Sequence, residues 1–522
     1  MPNENLIIVN VDYGETRVAL IEDGIIVELL VERRDERSLL GNIYRGRVNR
    51  VLPGMQAAFI DIGLEKHAFL HVSDVVADDH DAPPSDKNGE KAGGKGKGKG
   101  KGKSRRTTVS RRTPIREVLR EGESIAVQVS KDPIGSKGSR VTTAVSLPGR
   151  HLVYMPFSDR GGVSKRIENE KERQRLNKVL KRIAPKQGAL IARTAAEDAS
   201  ADALDADAAY LGDVWSEALD KFRKRRKPGL LREELELPLR VARDSLNEST
   251  SQMVVDDRAT ADALRSFVDR LLPQKLEAIE LYEGEEPIFD AFGIEGEIRR
   301  ALDRVVELPS GGSLVIDQGE ALTAIDVNTG KFTGKGSKDQ EETIVRTNLE
   351  AVDEIAYQVR FRNIGGLIVL DLIDMDRPAS RRKVTDRLKQ VLADDRARTS
   401  VQRISQFGLV EMTRERKRES LGRTLHEPCL YCDGTGSTLS RVTVANEVLR
   451  EVRRRHDEIR SQIEVRVHPR VAEVLKGDGA KPLKELQKRI GKKVHVVSDG
   501  GGHLEHFQVR ARKRAGAGRE GS

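Results

Sequence analysis

The pattern of apolar and polar positions divides the chain into a β-rich first part and an α/β second part. Residues 6–33 alternate apolar and polar side chains around two turn points, which predicts a β-meander. Short strand patterns continue over residues 40–72 and resume at 124–131, which predicts a small β-barrel. The block between them, at about residues 78–112, is rich in glycine and lysine and predicts a surface loop. Its lysines suit either sequence-independent RNA binding or simple solubilisation.

The middle of the chain alternates between helical and extended patterns. The predicted elements are charged helices at 167–186 and 195–226, a buried strand at 188–194, a strand region at 238–256 and a helix at 259–273.

A hairpin over residues 313–328, a helix over 339–362 and the strand that carries Asp371 predict a layered α/β domain. A second helix at 378–395 precedes a strand over 406–412. The tail has the alternation of a small α+β unit, with helix 441–460, strand 462–468, helix 470–490 and strands 493–498 and 503–511.

Two aspartates stand inside strand-like runs, Asp326 and Asp371. Aliphatic residues flank both, so we expect an apolar environment in which an unpaired charge is costly. Strand side chains repeat every second residue, so Asp326 and Asn328 share a face, whereas Asp374 should face away from Asp371 and end its strand. Two carboxylates and an amide oxygen suit Mg²⁺. The alternative is that each aspartate caps a turn.

Composition limits the classes of protein that fit. A chain of 522 residues has room for roughly three to five domains. Its 92 Lys and Arg against 83 Asp and Glu give a net charge of +9, which fits phosphate binding on selected faces. No apolar run approaches a membrane span, the polar N-terminus is unlike a signal peptide, and two cysteines exclude a disulfide scaffold. We therefore expect a cytoplasmic protein.

The two cysteines, Cys429 and Cys432, form a C-x-x-C pair that supplies half of a tetrahedral zinc site. His426 would bring the ligands only to three. Two chains related by a two-fold axis would supply four thiolates. A redox pair is the alternative.

Several motifs together resemble the catalytic region of the ribonuclease E/G family. They are Leu308-Pro-Ser-Gly-Gly-Ser-Leu-Val-Ile-Asp317, Ile325-Asp-Val-Asn328, Asn348-Leu-Glu-Ala351, Gly365-Gly-Leu-Ile-Val-Leu-Asp-Leu-Ile-Asp-Met375 and Cys429-Leu-Tyr-Cys-Asp-Gly-Thr-Gly436. The resemblance covers nearly the whole chain apart from the glycine–lysine block and a short charged C-terminus.

The resemblance implies a multidomain α/β and β fold. Its parts are an RNase H-like domain in two pieces (1–37 and 238–302), an S1 (OB-type) β-barrel (38–143, with the insertion at about 78–112), a 5′-sensor domain (144–237), a DNase I-like α/β catalytic domain (303–425), a zinc link (426–438) and a small α+β domain (439–522).

The resemblance also implies roles for the aspartates. Asp326 and Asp371 would hold a catalytic Mg²⁺, and Asn328 would assist them. A Mg²⁺ on two carboxylates can polarise a phosphate and activate water. The family's products carry 5′-phosphate and 3′-hydroxyl ends.

By the same resemblance, Phe59, Phe69 and Lys137 would contact RNA in the S1 channel, with aromatic stacking and a phosphate contact. Taken alone, a phenylalanine in a barrel strand is more often a core residue.

Arg193 and Thr194, with the backbone of Val153, would bind a 5′-monophosphate. The alternative for Arg193 is a strand-end arginine paired with a carboxylate.

The implied assembly is a homodimer that shares Zn²⁺ between the Cys429–Cys432 pairs, with dimers joining into a homotetramer. The implied activity is cleavage of single-stranded, A/U-rich RNA, stimulated by a 5′-monophosphate, in processing and decay of messenger and ribosomal precursor RNA. A G-like or compact form of the family is favoured because the long scaffold of the larger E type is missing. The alternative is a non-catalytic RNA-binding scaffold that keeps the S1 and zinc elements.

Overall fold

The computed structural model describes most of the chain in two compact units, Met1–Thr424 and Leu425–Ser522. The described residues are 5–35, 37–76, 113–133, 138–330, 337–393 (without the side chains of 337–340), 395–405, 407–416, 418–460, 462–477 and 480–512. The glycine–lysine block and Lys137 lie outside them, so the expectations for these residues stay predictions.

The strands in the described part of the chain are β1 (Asn5–Val11), β2 (Glu15–Glu22), β3 (Ile25–Arg33), β4 (Ile43–Leu52), β5 (Ala57–Asp61), β6 (Ala68–His71), β7 (Ser124–Lys131), β8 (Arg140–Thr142), β9 (Leu147–Pro148), β10 (Leu152–Met155), β11 (Gly162–Val163), β12 (Ala189–Ala192), β13 (Gly229–Arg232), β14 (Thr250–Val255), β15 (Ile279–Leu281), β16 (Val305–Glu307), β17 (Ser313–Gln318), β18 (Leu322–Asn328), β19 (Gly366–Asp371), β20 (Thr399–Val401), β21 (Leu409–Arg414), β22 (Ile463–Val467), β23 (Val494–Ser498) and β24 (Phe507–Ala511).

The α-helices are α1 (Ile115–Val118), α2 (Glu170–Arg182), α3 (Ala201–Lys224), α4 (Leu237–Ser245), α5 (Arg258–Leu271), α6 (Ile288–Ala291), α7 (Ile294–Leu302), α8 (Ser337–Phe361), α9 (Pro378–Val391), α10 (Leu421–Leu425), α11 (Arg441–Arg455), α12 (Pro469–Lys476) and α13 (Ala480–Ile490). Within the described residues, no helix is both long and apolar enough to cross a membrane.

The first sheet joins two distant parts of the chain. Its order is β15-β14-β1-β2-β3, and β1 to β3 form the predicted antiparallel meander. On its other edge β1 pairs in parallel with β14, where Ile7 lies opposite Met253. Helices α4 and α5 contribute to the core beneath this sheet.

The predicted barrel is present. Strands β4, β5, β6, β8 and β7 pair in that order, and an additional β4–β7 pairing closes the ring. Strand β13 adds to β4 on the outside. The interior is filled by small and branched apolar residues.

A four-stranded sheet, β11-β12-β10-β9, packs with α2 and α3 around the next core, which includes Trp215.

The sheet that carries the two aspartates has the order β16-β17-β18-β19-β21-β20. Helices α8 and α9 pack against each other and share this sheet's core. Alternate residues of β18 are exposed, so one face of the strand points away from that core.

The C-terminal unit is a three-stranded sheet, β23-β22-β24, whose core is shared with α11, α12 and α13. Its order of elements is that of the predicted small α+β unit.

Two predictions of local structure were wrong. Residues 237–245 form α4 and not a strand, since Pro238 occupies the first turn, where it favours a helix start, and Val241 and Ala242 turn together into the core. The single helix predicted over 470–490 is two helices, because Gly477 caps the end of α12 after Lys476 and α13 starts at Ala480. At the level of a multidomain α/β protein with a barrel-like sheet, the predicted fold class is confirmed.

Candidate active site

The structure brings the two aspartates together at one end of a sheet. Strands β18 and β19 are parallel neighbours, and Asp326 lies directly opposite Asp371 in their register. Neighbouring strands lie roughly 4.8 Å apart, so the two carboxyl groups are within reach of a single cation. Asn328 lies on the same face, as the period of the strand predicts, and its amide nitrogen donates to Asp326 Oδ2 at 2.9 Å. Asp326 is inside its strand and caps no turn.

The expectation of an apolar environment around these carboxylates was wrong. Both Asp326 and Asp371 are exposed, while the aliphatic neighbours Ile325, Val327 and Leu370 are buried. In a strand, consecutive side chains leave on opposite faces, so the apolar residues beside each aspartate enter the core beneath it. The carboxylates therefore stand on an accessible surface with a rigid apolar support.

Partial desolvation raises the pKa of Asp371, and the negative charges of Asp326 and Asp374 raise it further. Strand β19 ends at Asp371, so the expectation that Asp374 ends the strand was wrong, because the Ile373 backbone pairs with the Asn348 side chain and not with a neighbouring strand. The negative charge of Asp374 still contributes to the raised pKa of Asp371. The structure thus brings two carboxylates together, as the sequence indicated, and among the described residues no third His, Cys, Asp or Glu completes a metal-binding group with them.

Asn348 holds the backbone between Asp371 and Asp374. It is fully buried on α8, its amide nitrogen donates to the Ile373 carbonyl at 2.8 Å, and its oxygen accepts from the Ile373 amide at 3.1 Å. This paired contact fixes the segment that turns away after Asp371. The sequence marked Asn348 only as part of a motif, because its partner lies 25 positions away.

Phe59 and Phe69 form a cross-strand pair on the barrel. They are opposite in the β5–β6 register, with ring centroids 6.3 Å apart and planes at 70°. Phe59 is 36% exposed, so it is not a core residue. Two cations missed by the sequence reasoning lie beside them, since Arg50 is opposite Phe59 and Arg140 is opposite Phe69. Both arginines are on neighbouring strands, so only the strand register reveals that they lie opposite the two rings.

Arg193 and Thr194 directly follow β12, which is antiparallel to the strand that carries Val153. The structure therefore places these three residues at one sheet. Arg193 forms an ion pair with Asp244 at 2.8 Å and donates to the Gly149 carbonyl, so the alternative pairing with a carboxylate is present. Thr194 is exposed.

Two opposing influences act on the pKa of Asp244. Burial raises its pKa, but hydrogen bonds and charge from Arg243 and Arg193 outweigh the burial and leave the pKa lowered. Burial also lowers the pKa of Arg150, and the positive charge of Arg193 lowers it further. The surroundings of Arg193 thus hold several guanidinium groups around one carboxylate.

A buried aspartate shapes this part of the domain. Asp207 on α3 is 1% exposed and accepts the backbone N–H groups of residues 150, 151 and 152 at 3.1, 2.8 and 2.8 Å. Gly149 makes room for it, because a Cβ there would lie 2.4 Å from an Asp207 oxygen. Asp207 is therefore a positioning residue for the loop that receives the Arg193 hydrogen bond.

Cys429 and Cys432 lie on a tight turn in the C-terminal unit. The amides of Cys432 and Gly434 both donate to the Cys429 carbonyl at 3.3 Å, and the Gly436 amide donates to Cys432 Sγ at 3.3 Å. Backbone hydrogen bonding at Tyr431 is the main influence that lowers the pKa of the Cys429 thiol. Amide groups aimed at the sulfurs favour thiolates, which are the form that binds zinc. Among the described residues, no third His, Cys, Asp or Glu joins the pair into a possible metal site.

Tyr431 anchors this turn to its own unit. Its carbonyl accepts from the His503 ring at 2.5 Å, its hydroxyl accepts from the Leu504 amide at 3.2 Å, and its ring lies 4.3 Å from that of His503. Leu430 next to it is 95% exposed. The turn is thus fixed while its apolar tip faces outward.

Comparison with known proteins agrees with this arrangement. A sequence model of the ribonuclease E/G family matches residues 146–417, and one for an RNase E/G thioredoxin-like domain matches residues 428–513. The chain is 44% identical to ribonuclease G of Escherichia coli (strain K12) over 504 residues, which cover 96% of this chain and 99% of that protein. It is 41% identical to ribonuclease G of Haemophilus influenzae over 505 residues, 96% of this chain and 98% of the other. Against ribonuclease E of Haemophilus influenzae it is 35% identical over 498 residues, which cover 95% of this chain and 50% of that protein.

These matches place the chain among ribonucleases. It belongs to the ribonuclease E/G family, and the resemblance drawn from the sequence motifs, with the enzyme class it implied, is confirmed.

Proposed function

We propose that the protein is a Mg²⁺-dependent endoribonuclease of the G type that cleaves single-stranded, A/U-rich RNA. The observation that carries the proposal is the direct opposition of Asp326 and Asp371 on an exposed sheet face, with Asn328 hydrogen-bonded to the first. Identity to ribonuclease G over nearly its full length supports the substrate class. The role we assign is in processing and decay of messenger RNA and ribosomal RNA precursors.

Asp326 and Asp371 would hold the ion, since adjacent exposed carboxylates are ligands that Mg²⁺ prefers. When bound, Mg²⁺ supplies polarisation of the scissile phosphate and a water acidic enough to attack it in line. Asn328 orients the Asp326 carboxylate through its N–H group. Attack by water in place of the ribose hydroxyl leaves 5′-phosphate and 3′-hydroxyl ends.

The barrel and the region around Arg193 would bind the RNA substrate. Phe59 and Phe69 would stack on unpaired bases, and Arg50 beside them would contact the backbone together with Lys137. Arg193 and Thr194, with Val153 nearby, would bind a 5′-monophosphate and so stimulate cleavage. In this proposal, the sheet β15-β14-β1-β2-β3 is the RNase H-like domain, the barrel is the S1 domain and the sheet with the aspartates is the DNase I-like domain.

We also propose that Cys429 and Cys432 share one Zn²⁺ with the same pair of a second chain, and that such dimers form a homotetramer. Four thiolates complete a tetrahedral site. The exposed Leu430 between the cysteines supports the proposal, because a partner chain would cover it.

The test is cleavage of a 5′-monophosphorylated, A/U-rich oligonucleotide with Mg²⁺ or with chelator. Wild-type protein should cut only with Mg²⁺, and Asp371→Asn should lower the rate at least roughly a hundredfold while RNA binding is kept. Asp317→Asn is the matched control, since Asp317 is an exposed carboxylate of the same sheet that pairs with Arg304. Binding without any cut by the wild-type protein would favour the scaffold alternative and contradict the proposal.

A further inference from the structure

One largely exposed aromatic ring lies just before the strand that pairs with the Asp371 strand. Phe407, in the turn that precedes β21, is 82% exposed. Between residues 368 and 429, no other described residue is a large hydrophobic side chain with comparable exposure. Its neighbours Val401 and Ile404 pack against the core of the sheet. Phe407 therefore does not belong to an apolar patch of the size that marks a protein interface.

Hydrogen bonds join the described residues of the turn that carries Phe407. The amides of Phe407 and Leu409 both donate to Ser405 Oγ at 3.2 Å, and the Ser405 amide donates to the Leu409 carbonyl at 2.8 Å. The backbone that presents the ring is therefore held at Phe407 and Leu409.

The same turn lies against the end of the aspartate strand. Leu409 is opposite Asp371 in the β19–β21 register. Gly408 has a φ of +76°, and a Cβ there would lie 2.8 Å from Asp374 Oδ1 and 3.2 Å from the Leu372 carbonyl oxygen. Phe407 is therefore one residue from a direct contact with the segment that follows Asp371.

We propose that Phe407 is a binding subsite for one unpaired nucleobase of the RNA, next to the phosphate that is cleaved at Asp326 and Asp371. This inference rests on the proposed function. An exposed aromatic ring stacks on any base, because every base presents a π-face, and an isolated ring fits one base. The subsite would hold the RNA strand on the β21 side of the two aspartates, and so would help to fix which phosphate meets the carboxylates.

The first experiment compares Phe407→Ala and Phe407→Trp in single-turnover cleavage of an oligonucleotide with one cleavage site. Phe407→Ala should lower kcat/KM by roughly five- to a hundredfold, the range measured when a stacking ring is removed. Phe407→Trp should retain most of the activity, since it keeps an aromatic face. Tyr13→Ala is the control, because Tyr13 is 97% exposed in the turn between β1 and β2; it should leave cleavage unchanged.

The second experiment moves one abasic nucleotide through the positions that flank the cleavage site. With the wild-type protein, an abasic nucleotide at one of these positions should lower the cleavage rate. The factor should equal the one by which Phe407→Ala lowers the rate on intact RNA. In Phe407→Ala, that position should cause no further loss, because the two changes remove the same contact. Independent losses that multiply would overturn the inference, as would wild-type rates in the alanine variant.

Native mass spectrometry separates the remaining outcomes. If Phe407→Ala changes the assembly mass, the ring packs against protein and the inference fails. If the wild-type protein does not cleave RNA with Mg²⁺, the proposed function fails and this subsite fails with it. If wild-type cleavage is normal and only the Phe407 effects are missing, the proposed function stands and the subsite alone is rejected.

Discussion

At the scale of single residues, Asn328 and Asp326 form a hydrogen-bonded pair on an exposed strand face. Neither side chain supports the core, so a change at Asn328 should affect chemistry and leave stability alone. We expect Asn328→Ala to lower kcat about ten- to a hundredfold, as is typical when the partner that orients a metal ligand is removed. Cleavage rates over a Mg²⁺ titration, with thermal unfolding alongside, check this. An unchanged kcat, or a large fall in the melting temperature, would contradict the assigned role.

Arg193 presents a second prediction at this scale. Its guanidinium already donates to Asp244 and to the Gly149 carbonyl. A 5′-monophosphate must therefore bind to the guanidinium N–H groups that these two partners do not use. Arg193→Ala should therefore slow cleavage of 5′-monophosphorylated RNA and spare 5′-triphosphorylated or circular RNA.

Arg182→Ala is the control for Arg193, because Arg182 pairs with Asp205 on the surface of the same domain. It should leave both substrates unaffected. An equal loss on monophosphorylated and circular RNA in the Arg193 variant would indicate a general RNA contact or a folding defect.

At the scale of elements, the loop before β10 depends on one carboxylate from α3. Removing Asp207 leaves three buried N–H groups without acceptors, which should cost roughly 3 kcal/mol or more of unfolding free energy. Trp215 is the chain's single tryptophan and lies on the same helix, so its fluorescence reports this domain. Asp207→Ala should shift the urea midpoint of that signal markedly downward.

Asp205→Ala is the matched control, two residues away on the same helix. Asp205 is exposed and forms a surface ion pair, worth about 0–1 kcal/mol. Equal midpoint shifts for the two variants would show that the Asp207 hydrogen bonds do not stabilise the loop.

Elements also show what the sequence could and could not predict. The period of two in β18 was enough to place Asp326 and Asn328 on one face, because that geometry is local. Their exposure was mispredicted, because the apolar neighbours of each aspartate along the chain were taken as its surroundings, whereas in β18 Ile325 and Val327 enter the core on the opposite face. The contacts of Asn348 with Ile373 and of Asp207 with residues 150–152 join distant segments, so no local pattern could indicate them.

At the scale of the whole molecule, two thiols per chain and four ligands per tetrahedral zinc predict half a zinc per chain. Changing Cys429 and Cys432 to Ser should release the zinc and separate the chains joined by it. His426→Ala is the control, since it should keep both zinc and assembly. Elemental analysis and native mass spectrometry measure the two quantities. One zinc per chain, or full assembly of the double-serine variant, would contradict a shared site.

The parallel pairing of β1 with β14 has a consequence for synthesis on the ribosome. The nascent chain exposes one edge of its first strand until residues 250–255 have emerged. At roughly 5–20 residues per second, that delay is on the order of ten to fifty seconds. An unpaired strand edge is a template for association with other chains. The barrel and the α2–α3 domain complete their own cores within this interval. Translation therefore passes through a stage in which these two later domains are folded while the sheet that begins the chain is still unfinished.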